Sequence, residues 1–182
     1  MPEHRRINIF AGPSVGKSTL SAYIFFNMKM RGYKIELVQE YVKEFVYDKR
    51  IRRKYDQLNI FARQLEREER VLSYSDDVMV VTDCPFVMSI PYAQMLGFPD
   101  CTALVNIAKA FDTDYPPVNI FLTRSDEIEF DPDGRYQNSI DEARAVDDMI
   151  YEFLRENDIK FVEIKPKKND VALDVAINGY PD

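Results

Sequence analysis

Short apolar runs recur along the chain, and polar or turn-forming residues separate them. The runs are rich in β-branched and aromatic side chains and are nearly uninterrupted, as in strands that are covered on both faces. The sequence therefore predicts five strands, at 7–11, 35–38, 78–82, 118–122 and 161–164.

Between these strands, apolar residues recur every three or four positions, which places them on one face of a helix. The first such segment begins near residue 17 and is expected to end at Gly32. In the second segment, the residues on the predicted buried face are Leu58, Phe61, Ala62, Leu65, Glu69 and Leu72. In the third, they are Ala143, Val146, Ile150, Phe153 and Leu154. Because strands alternate with helices, we expect an α/β fold with a five-stranded parallel sheet flanked by helices.

Length, composition and charge narrow the class of protein. The 182 residues, 46% of them hydrophobic, predict a single domain over 1–182 with a buried core. Two cysteines and one histidine make a disulfide framework or a zinc site improbable. The net charge of −7 disfavours general binding to nucleic acid, although it is compatible with a local basic pocket. No apolar run reaches the roughly 18 residues of a membrane span, and no signal-peptide stretch is present, so we expect a soluble cytoplasmic protein.

The strongest motif is the segment Ala-Gly-Pro-Ser-Val-Gly-Lys-Ser at 11–18, between the first predicted strand and the first predicted helix. It matches the Walker A phosphate-binding loop, except that Ala11 replaces the first glycine. Its glycines let backbone amides turn inward around an anion, and the helix N-terminus adds a positive dipole. The residues predicted to bind ATP are Gly12, Pro13, Ser14, Val15, Gly16, Lys17, Ser18 and Thr19.

Three side chains have expected roles around the bound phosphates. Lys17 is expected to reach the β- and γ-phosphates, and the Ser18 hydroxyl is expected to ligate Mg²⁺. Asp83 closes the third predicted strand, where it would hold the same metal ion opposite Ser18. The other interpretation of Asp83, compatible with the first, is a helix N-cap before Pro85.

A second acid, Glu40, ends the second predicted strand. Because ligands of open α/β sheets bind beyond the carboxyl ends of the strands, we expect both acids near the phosphates. Our hypothesis makes Glu40 the general base and Asp83 the metal partner, although either acid fits the role of base. The alternative for Glu40 is an exposed acid in the first turn of the next helix.

Two arginines are expected to approach the transferred phosphate. Arg124 directly follows the fourth predicted strand, and Arg135 lies in a turn-rich polar segment, about 124–139, that we interpret as a lid. Cations near the γ-phosphoryl group stabilise the charge on its oxygens during transfer, which would make both arginines catalytic. A plain surface turn is the alternative for the segment around Arg135.

The residues that would bind the phosphate acceptor are predicted less specifically than those that would bind ATP. A basic tract at 49–54 is suited to an anionic acceptor such as a nucleotide or a DNA strand, although charge runs are usually a solvated face. The residues expected to stack on an acceptor base or to bond its edge are Tyr41, Phe45, Phe61, Arg63, Gln64, Phe86 and Gln137. Packing in the core is the alternative for each aromatic ring.

Four segments, at 11–19, 38–46, 81–83 and 134–137, carry a family resemblance. Together they resemble small P-loop kinases that include the ribosylnicotinamide kinase domain of the bacterial bifunctional NAD-biosynthesis regulator and bacteriophage-encoded nucleotide kinases. Its more specific parts are the sequence Glu-Tyr-Val-Lys-Glu-Phe-Val that begins at Glu40 and the final helix–strand segment at 157–162. The resemblance implies a parallel sheet, Mg·ATP as donor, and a nucleoside-like acceptor whose hydroxyl or phosphate receives the phosphoryl group.

The resemblance also implies roles for individual residues. It assigns donor binding to Lys17 and Ser18, a metal or base role to Asp83, and the lid to Arg124 and Arg135. The chain departs from several nucleoside and nucleotide kinases after Asp83, because Cys-Pro follows where those kinases have an arginine.

The motifs together predict a Mg·ATP-dependent phosphotransferase with a nucleoside- or nucleotide-like acceptor, located in the host cytoplasm if a bacteriophage encodes it. Two alternatives stay open. One is a kinase that acts on a hydroxymethylated base within DNA, for which the basic tract would bind the strand. The other is a nucleotide switch or a DNA-processing ATPase, which would hydrolyse ATP without phosphorylating a small molecule.

Overall fold

Five parallel strands form a sheet at the centre of the protein, in a computed structural model that describes residues 4–48, 53–125, 129–131, 136–137 and 139–181. The strands are β1 Arg6–Phe10, β2 Ile35–Val38, β3 Met79–Thr82, β4 Pro117–Leu122 and β5 Val162–Ile164. Their order in the sheet is β2-β3-β1-β4-β5, and each neighbouring pair is parallel. The predicted five-stranded parallel sheet is confirmed.

Strand β1 lies in the middle of the sheet, and all five of its residues are buried. Its residue Ile7 is in register with Val81 of β3 on one side and with Val118 of β4 on the other. The connection after β1 leads towards β2, whereas the connection after β4 leads towards β5 on the opposite side. The topological switch point, where open α/β sheets bind ligands, therefore lies at the carboxyl end of β1.

Helices cover both faces of the sheet. They are α1 Lys17–Met30, α2 Lys43–Tyr47, α3 Asp56–Leu72, α4 Ser89–Met95, α5 Thr102–Asp114, α6 Ile140–Glu156 and α7 Asn169–Asn178. A short 3-10 helix, Phe86–Met88, precedes α4. The sequence pattern predicts α1, α3 and α6 but misses the other four helices. Helices α2 and α4 are too short to display a period, and α5 and α7 leave apolar residues such as Ile107 and Val171 exposed.

Two apolar cores result, one on each face of the sheet. Helices α1 and α7 pack against one face, where Ile9 and Ile24 are fully buried. Helices α3, α4, α5 and α6 contribute to the core on the other face, which contains Phe10, Phe86 and Phe153. Apolar cover on both faces explains why the strands read as continuous apolar runs.

Helix α3 buries a face that coincides only in part with the predicted one, because Phe61 and Leu72 are buried as expected but their neighbours differ. Leu58 of the predicted face is 38% exposed, whereas the polar side chains of Gln57, Gln64 and Glu68 are buried. Glu68 can be buried because it forms an ion pair with Arg6 of β1, at 3.2 Å. A buried polar residue is tolerated when it has such a partner, and hydrophobic periodicity does not detect the partner.

The described part of the chain includes no helix that is both long and apolar enough to cross a membrane.

His4 links the N-terminal segment to the last helix, and this contact predicts a dependence of stability on pH. Its Nε2 lies 2.8 Å from the carbonyl oxygen of Ala176 in α7, and burial lowers the pKa of the imidazole from its usual 6.5. Because the unfolded chain then binds the proton more tightly, the free energy of unfolding should decrease as the pH falls below about 6.5.

The measurement is thermal unfolding at about pH 7.5 and about pH 5.5, for the natural protein and for His4→Gln. Glutamine does not titrate and can still donate a hydrogen bond to Ala176. We expect the unfolding temperature to decrease more with acidification in the natural protein than in the variant. Equal decreases would contradict the role given to His4.

Candidate functional site

A cleft opens beside the carboxyl end of β1 and contains most of the predicted phosphate-binding residues. Loop residues 13–19, which follow β1, line one part of it. Glu40, beyond β2, and Cys84, beyond β3, line the same cleft. Three neighbouring strands of the sheet therefore direct their following residues towards one site, as the sequence predicts for the loop and for Glu40.

The loop adopts a conformation that few residues can take. Gly16 has a φ of 98° and Ser14 a φ of 59°, both in the left-handed region. Gly16 is also the N-cap of α1, and no side chain of the described residues caps this helix. The first amides of α1 thus have no side-chain acceptor, and a helix N-terminus of this kind attracts an anion.

Two residues from distant elements hold the first turn of the loop. The Gly12 amide donates to Asp147 of α6 at 2.7 Å. Asp147 is also paired with Arg124, whose Nε lies 2.5 Å from the carboxylate. Arg124 in turn donates to the carbonyl oxygen of Pro13 at 2.7 Å. We call Asp147 and Arg124 the loop clamp, because together they bond to consecutive residues of the loop.

The clamp modifies the expectation for Arg124 and adds a residue that the sequence did not indicate. In this structure Arg124 contacts the loop's first turn and Asp147 rather than extending into the cleft. Asp147 is buried on the α6 face that also buries Val146 and Ile150. A charged residue among the apolar positions of a predicted helix is a signal that marks Asp147 as buried, although it does not indicate which residue Asp147 contacts.

The close approach of Asp147 explains the glycine at position 12 and gives a prediction. A Cβ at Gly12 would lie 2.3 Å from the Asp147 Oδ1 and 3.1 Å from the carbonyl oxygen of Ala143. Gly12→Ala is therefore expected to lower the free energy of unfolding by about 1–3 kcal/mol, as overpacking does. Chemical denaturation measures this loss.

The Gly12→Ala/Asp147→Ala double variant tests the cause of that loss. Because the first clash disappears with the carboxylate, the double variant should be destabilised by less than the sum of the two single variants. Additive losses would show that the Asp147 side chain is not what excludes alanine at Gly12.

Ser18 and Asp83, which the sequence predicts to hold a metal ion together, are in direct contact. The Ser18 hydroxyl donates to the Asp83 Oδ2 at 2.5 Å. Asp83 is only 4% exposed, and its other oxygen, Oδ1, is buried without a hydrogen-bond partner among the described residues. An unsatisfied buried carboxylate oxygen is costly unless a cation or water completes its shell. The two oxygen ligands thus fit Mg²⁺, a hard cation that usually keeps several waters.

The same geometry bears on the alternative interpretation of Asp83. The 3-10 helix that follows has Pro85 at its N-cap and no side-chain cap, so the interpretation of Asp83 as a helix N-cap is wrong. Within the described ranges, no three His, Cys, Asp or Glu side chains cluster as a metal site. A metal ion at Ser18 and Asp83 would therefore take its remaining ligands from a nucleotide and from water.

Cys84 lies among the charged groups of the site. Burial, followed by the carboxylates of Glu40 and Asp83, holds the pKa of its thiol well above the usual range, while Lys17 opposes this effect. Lys17 donates to the carbonyl oxygen of Gly12 at 2.6 Å. Both candidate acids and the loop lysine are thus within electrostatic reach of one thiol.

Glu40 precedes α2, which begins at Lys43, so its interpretation as a first-turn residue of that helix is wrong.

Three of the aromatic residues expected to stack on an acceptor base are instead buried. Phe61 and Phe86 are 3% and 0% exposed and contact each other edge to face, with ring centroids 5.1 Å apart. Phe45 is 3% exposed, and its ring packs against Tyr41 at 5.6 Å. The core interpretation therefore replaces the expectation of base stacking for these three rings, because their faces are covered by other side chains.

The other predicted acceptor residues have different environments. Tyr41 is half-buried beneath the guanidinium of Arg67, 4.9 Å from its ring centroid. The buried Gln64 accepts a hydrogen bond from the Tyr41 amide at 3.0 Å, which fixes the chain just after Glu40. Arg63 is exposed and pairs with Glu66 on the same helix. None of Tyr41, Gln64 and Arg63 belongs to the described lining of the cleft, whereas Gln137 does.

Part of the lid prediction falls outside the described residues. Arg135 and residues 49–52 of the basic tract are not among those that the structure describes. Within the predicted lid, Tyr136 and Gln137 line the cleft, and the carbonyl oxygen of Asp131 accepts a hydrogen bond from the Ser14 hydroxyl at 2.7 Å. The lid and the role of Arg135 stay predictions.

Several cleft residues were not indicated by the sequence. Lys43 enters the cleft from α2. Beyond Glu40 and Cys84, the lining that follows β2 and β3 is uncharged, and we call it the acceptor wall. It consists of Val42, Gln57, Ile60, Met88, Ser89 and Tyr92. Gln57 is 2% exposed although it is polar. A glutamine in the first turn of a predicted amphipathic helix gives no signal of its own, so the sequence could not have identified it.

Solved structures share this fold. One is a NadR protein in complex with NR, with a TM-score of 0.71 and 14% identity over 98% of this chain and 52% of that chain. Another is a NadR protein in complex with NAD and AMP-PNP, with a TM-score of 0.70 and 13% identity over 98% of this chain and 51% of that chain. The present chain spans about half the length of these two proteins.

These likenesses confirm the predicted fold and the resemblance to the kinase-containing NAD-biosynthesis regulator, whereas the bacteriophage part of the resemblance stays a prediction. A search of curated proteins finds no match. A family model described as an AAA domain matches residues 6–172. That match covers most of the chain, which therefore belongs to this AAA domain family.

Proposed function

We propose that the protein is a Mg·ATP-dependent phosphotransferase with a nucleoside- or nucleotide-like acceptor. The observation that carries this proposal is the contact of the uncapped helix behind the Walker A loop with a buried acid. The Ser18 hydroxyl of this helix bonds to Asp83, whose Oδ1 has no hydrogen-bond partner among the described residues. Glu40 faces the same cleft and supplies a second carboxylate. Together these groups provide the parts that phosphoryl transfer requires: a phosphate cradle, a metal site and a base.

The donor would bind along the loop. Amides at the start of α1 would bind the phosphate oxygens, and Lys17 would exchange its bond to the Gly12 carbonyl for one to the β- and γ-phosphates. Ser18 and Asp83 would hold Mg²⁺, which supplies charge neutralisation at the transferred phosphoryl group. The loop clamp keeps the first turn of the loop in place while Lys17 changes partner.

The acceptor would lie on the far side of the transferred phosphate. Its hydroxyl oxygen forms a bond to the γ-phosphorus as the bond from that phosphorus to the ADP oxygen breaks, and Glu40 takes the hydroxyl proton. ADP and the phosphorylated acceptor leave. Arg124 and Arg135, the predicted lid arginines, are proposed to approach the phosphoryl group only when donor and acceptor are both bound.

The chemistry of the acceptor wall favours an acceptor without phosphate. Its residues are neutral, and the cations in the described lining of the cleft are Lys17 and Lys43, which lie on the donor and metal side. An uncharged wall that combines apolar surface with a few polar groups suits a nucleoside-like molecule. The structures of similar fold with NR and with AMP-PNP support this choice of acceptor and donor.

The test is to follow the γ-phosphate of labelled ATP. The protein is incubated with Mg²⁺ and a panel of nucleosides, nucleotides, nicotinamide riboside and hydroxymethylated DNA. We expect label in a nucleoside-like small molecule. Label only in free phosphate would overturn the proposal in favour of a switch or processing ATPase, and label in DNA would overturn it in favour of a base kinase.

A further inference from the structure

The ammonium of Lys43 lies on the metal-ligand pair. Its Nζ donates to the Ser18 hydroxyl at 3.1 Å and is 3.6 Å from the Asp83 Oδ2. The Ser18 hydroxyl in turn donates to the same carboxylate oxygen. A protein cation thus contacts both oxygen ligands that the proposed function assigns to Mg²⁺.

We infer that Lys43 is a positioning residue that holds the metal position with its own charge until a nucleotide triphosphate arrives. The inference rests on the metal site of the proposed function and concerns the order in which that site is filled. A divalent ion at Ser18 and Asp83 would lie within a few ångströms of the ammonium, and their repulsion would weaken metal binding. Mg²⁺ would therefore bind together with the nucleotide rather than alone.

The geometry also provides a way for Mg²⁺ to replace the Lys43 ammonium at Ser18 and Asp83. The Asp83 Oδ1 has no hydrogen-bond partner among the described residues, so one carboxylate oxygen can receive the incoming metal while Oδ2 still faces Lys43. The Lys43 side chain is 32% exposed and begins at the first residue of α2, which leaves its flexible stem free to turn. Triphosphate oxygens in the cleft offer the ammonium a new anionic partner.

A purely structural role for Lys43 makes a different prediction. If the ammonium only compensates the buried charge of Asp83, its removal would change the free energy of unfolding without changing how metal and nucleotide depend on each other. The coupling between the two ligands is therefore the informative quantity. It is the ratio of metal dissociation constants without and with nucleotide.

The probe is Mn²⁺, whose binding is followed by electron paramagnetic resonance without nucleotide and with a non-hydrolysable ATP analogue. In the natural protein we expect weak Mn²⁺ binding alone and much tighter binding with the analogue. In Lys43→Met, binding of Mn²⁺ alone should tighten by at least about tenfold, because the competing charge is gone. Binding with the analogue should change by less than about threefold, so the coupling decreases.

Three further variants control the measurement. Lys109→Met removes the same charge from an exposed position of α5 and should leave both constants unchanged. Lys43→Gln should behave like Lys43→Met, and it serves as the second variant if methionine disturbs folding. Adding Asp83→Asn to Lys43→Met should abolish the extra Mn²⁺ binding, which locates that binding at the proposed pair rather than elsewhere on the acidic surface.

The inference would be overturned if both Lys43 variants bound Mn²⁺ without nucleotide as weakly as the natural protein does. It would also be overturned if Lys109→Met tightened Mn²⁺ binding as much as Lys43→Met, or if the tighter binding of Lys43→Met remained after Asp83→Asn was added. These failures are distinguishable from failure of the proposed function. A changed coupling with no transfer of label to any acceptor would leave Lys43 its role and remove the phosphotransferase. Transfer of label to an acceptor with unchanged coupling would keep the phosphotransferase and remove the role of Lys43.

Discussion

Replacing Lys17 with alanine is expected to reduce phosphate transfer by at least about 100- to 1,000-fold, the usual loss when one donor to the transition-state charge is removed. Lys17 begins α1 beside the left-handed Gly16, and its ammonium now bonds to the Gly12 carbonyl inside the same loop. Phosphates bound along the loop would offer this ammonium an anionic partner in place of that oxygen. Transfer of label from ATP measures the loss.

Lys29→Ala is the matched control for this experiment. Lys29 lies in the last turn of α1, where it pairs with Glu36 at 2.7 Å, far along the helix from the loop. We expect Lys29→Ala to transfer phosphate at the natural rate. Full activity of Lys17→Ala would remove the assignment of residues 11–18 as a phosphate-binding loop.

The sheet and the loop could be predicted because their signals are local. Each strand is a short apolar run, and the run at 35–38 matches β2 residue for residue. The loop has its glycine-lysine-serine sequence directly between β1 and α1. Where the sequence specifies an element through neighbouring residues, no knowledge of distant contacts is needed.

The orientation of α3 could not be predicted in the same way. The apolar period includes Leu58 on the buried face, but the helix turns so that Gln64 and Glu68 face inward. These side chains have partners in other elements, the Tyr41 amide and the Arg6 guanidinium. Phe61 lies on the buried face that the apolar period predicts, and the expectation that its ring would bind an acceptor base fails because the ring packs against Phe86 in the core.

The loop clamp shows the same limit at the site itself. Asp147 is 135 positions from Gly12 in the chain, and their bond depends on how α6 lies against the loop. No local pattern encodes that packing. The position of a residue beside its own motif, such as Ser18, can be predicted from the sequence, whereas the packing of α6 against the loop cannot.

Charge placement reconciles an acidic protein with an anionic donor. The net charge is −7, yet the described lining of the cleft contains Lys17 and Lys43 beside an uncapped helix N-terminus. A local positive field of this kind can bind a triphosphate while the acidic remainder disfavours a long nucleic acid. This distribution favours a small acceptor over DNA.

The second large effect is expected at the two acids of the cleft, exchanged one at a time as Glu40→Gln and Asp83→Asn. Each variant should lose about 10²- to 10⁴-fold in phosphate transfer, with much smaller losses in nucleotide affinity. Both substitutions preserve shape, and asparagine can still accept the hydrogen bond from Ser18. The losses therefore report the missing charge rather than a disturbed fold.

Dependence on the metal separates the two roles. If Asp83 holds Mg²⁺ and Glu40 takes the proton, Asp83→Asn should need a higher metal concentration for its residual activity, and Glu40→Gln should keep the natural requirement. The opposite pattern would make Asp83 the base. If phosphate transfer and nucleotide affinity decreased by the same factor in both variants, neither acid would take part in the chemical step. The reason is that removing a group that acts in the transition state lowers the rate by more than it lowers binding.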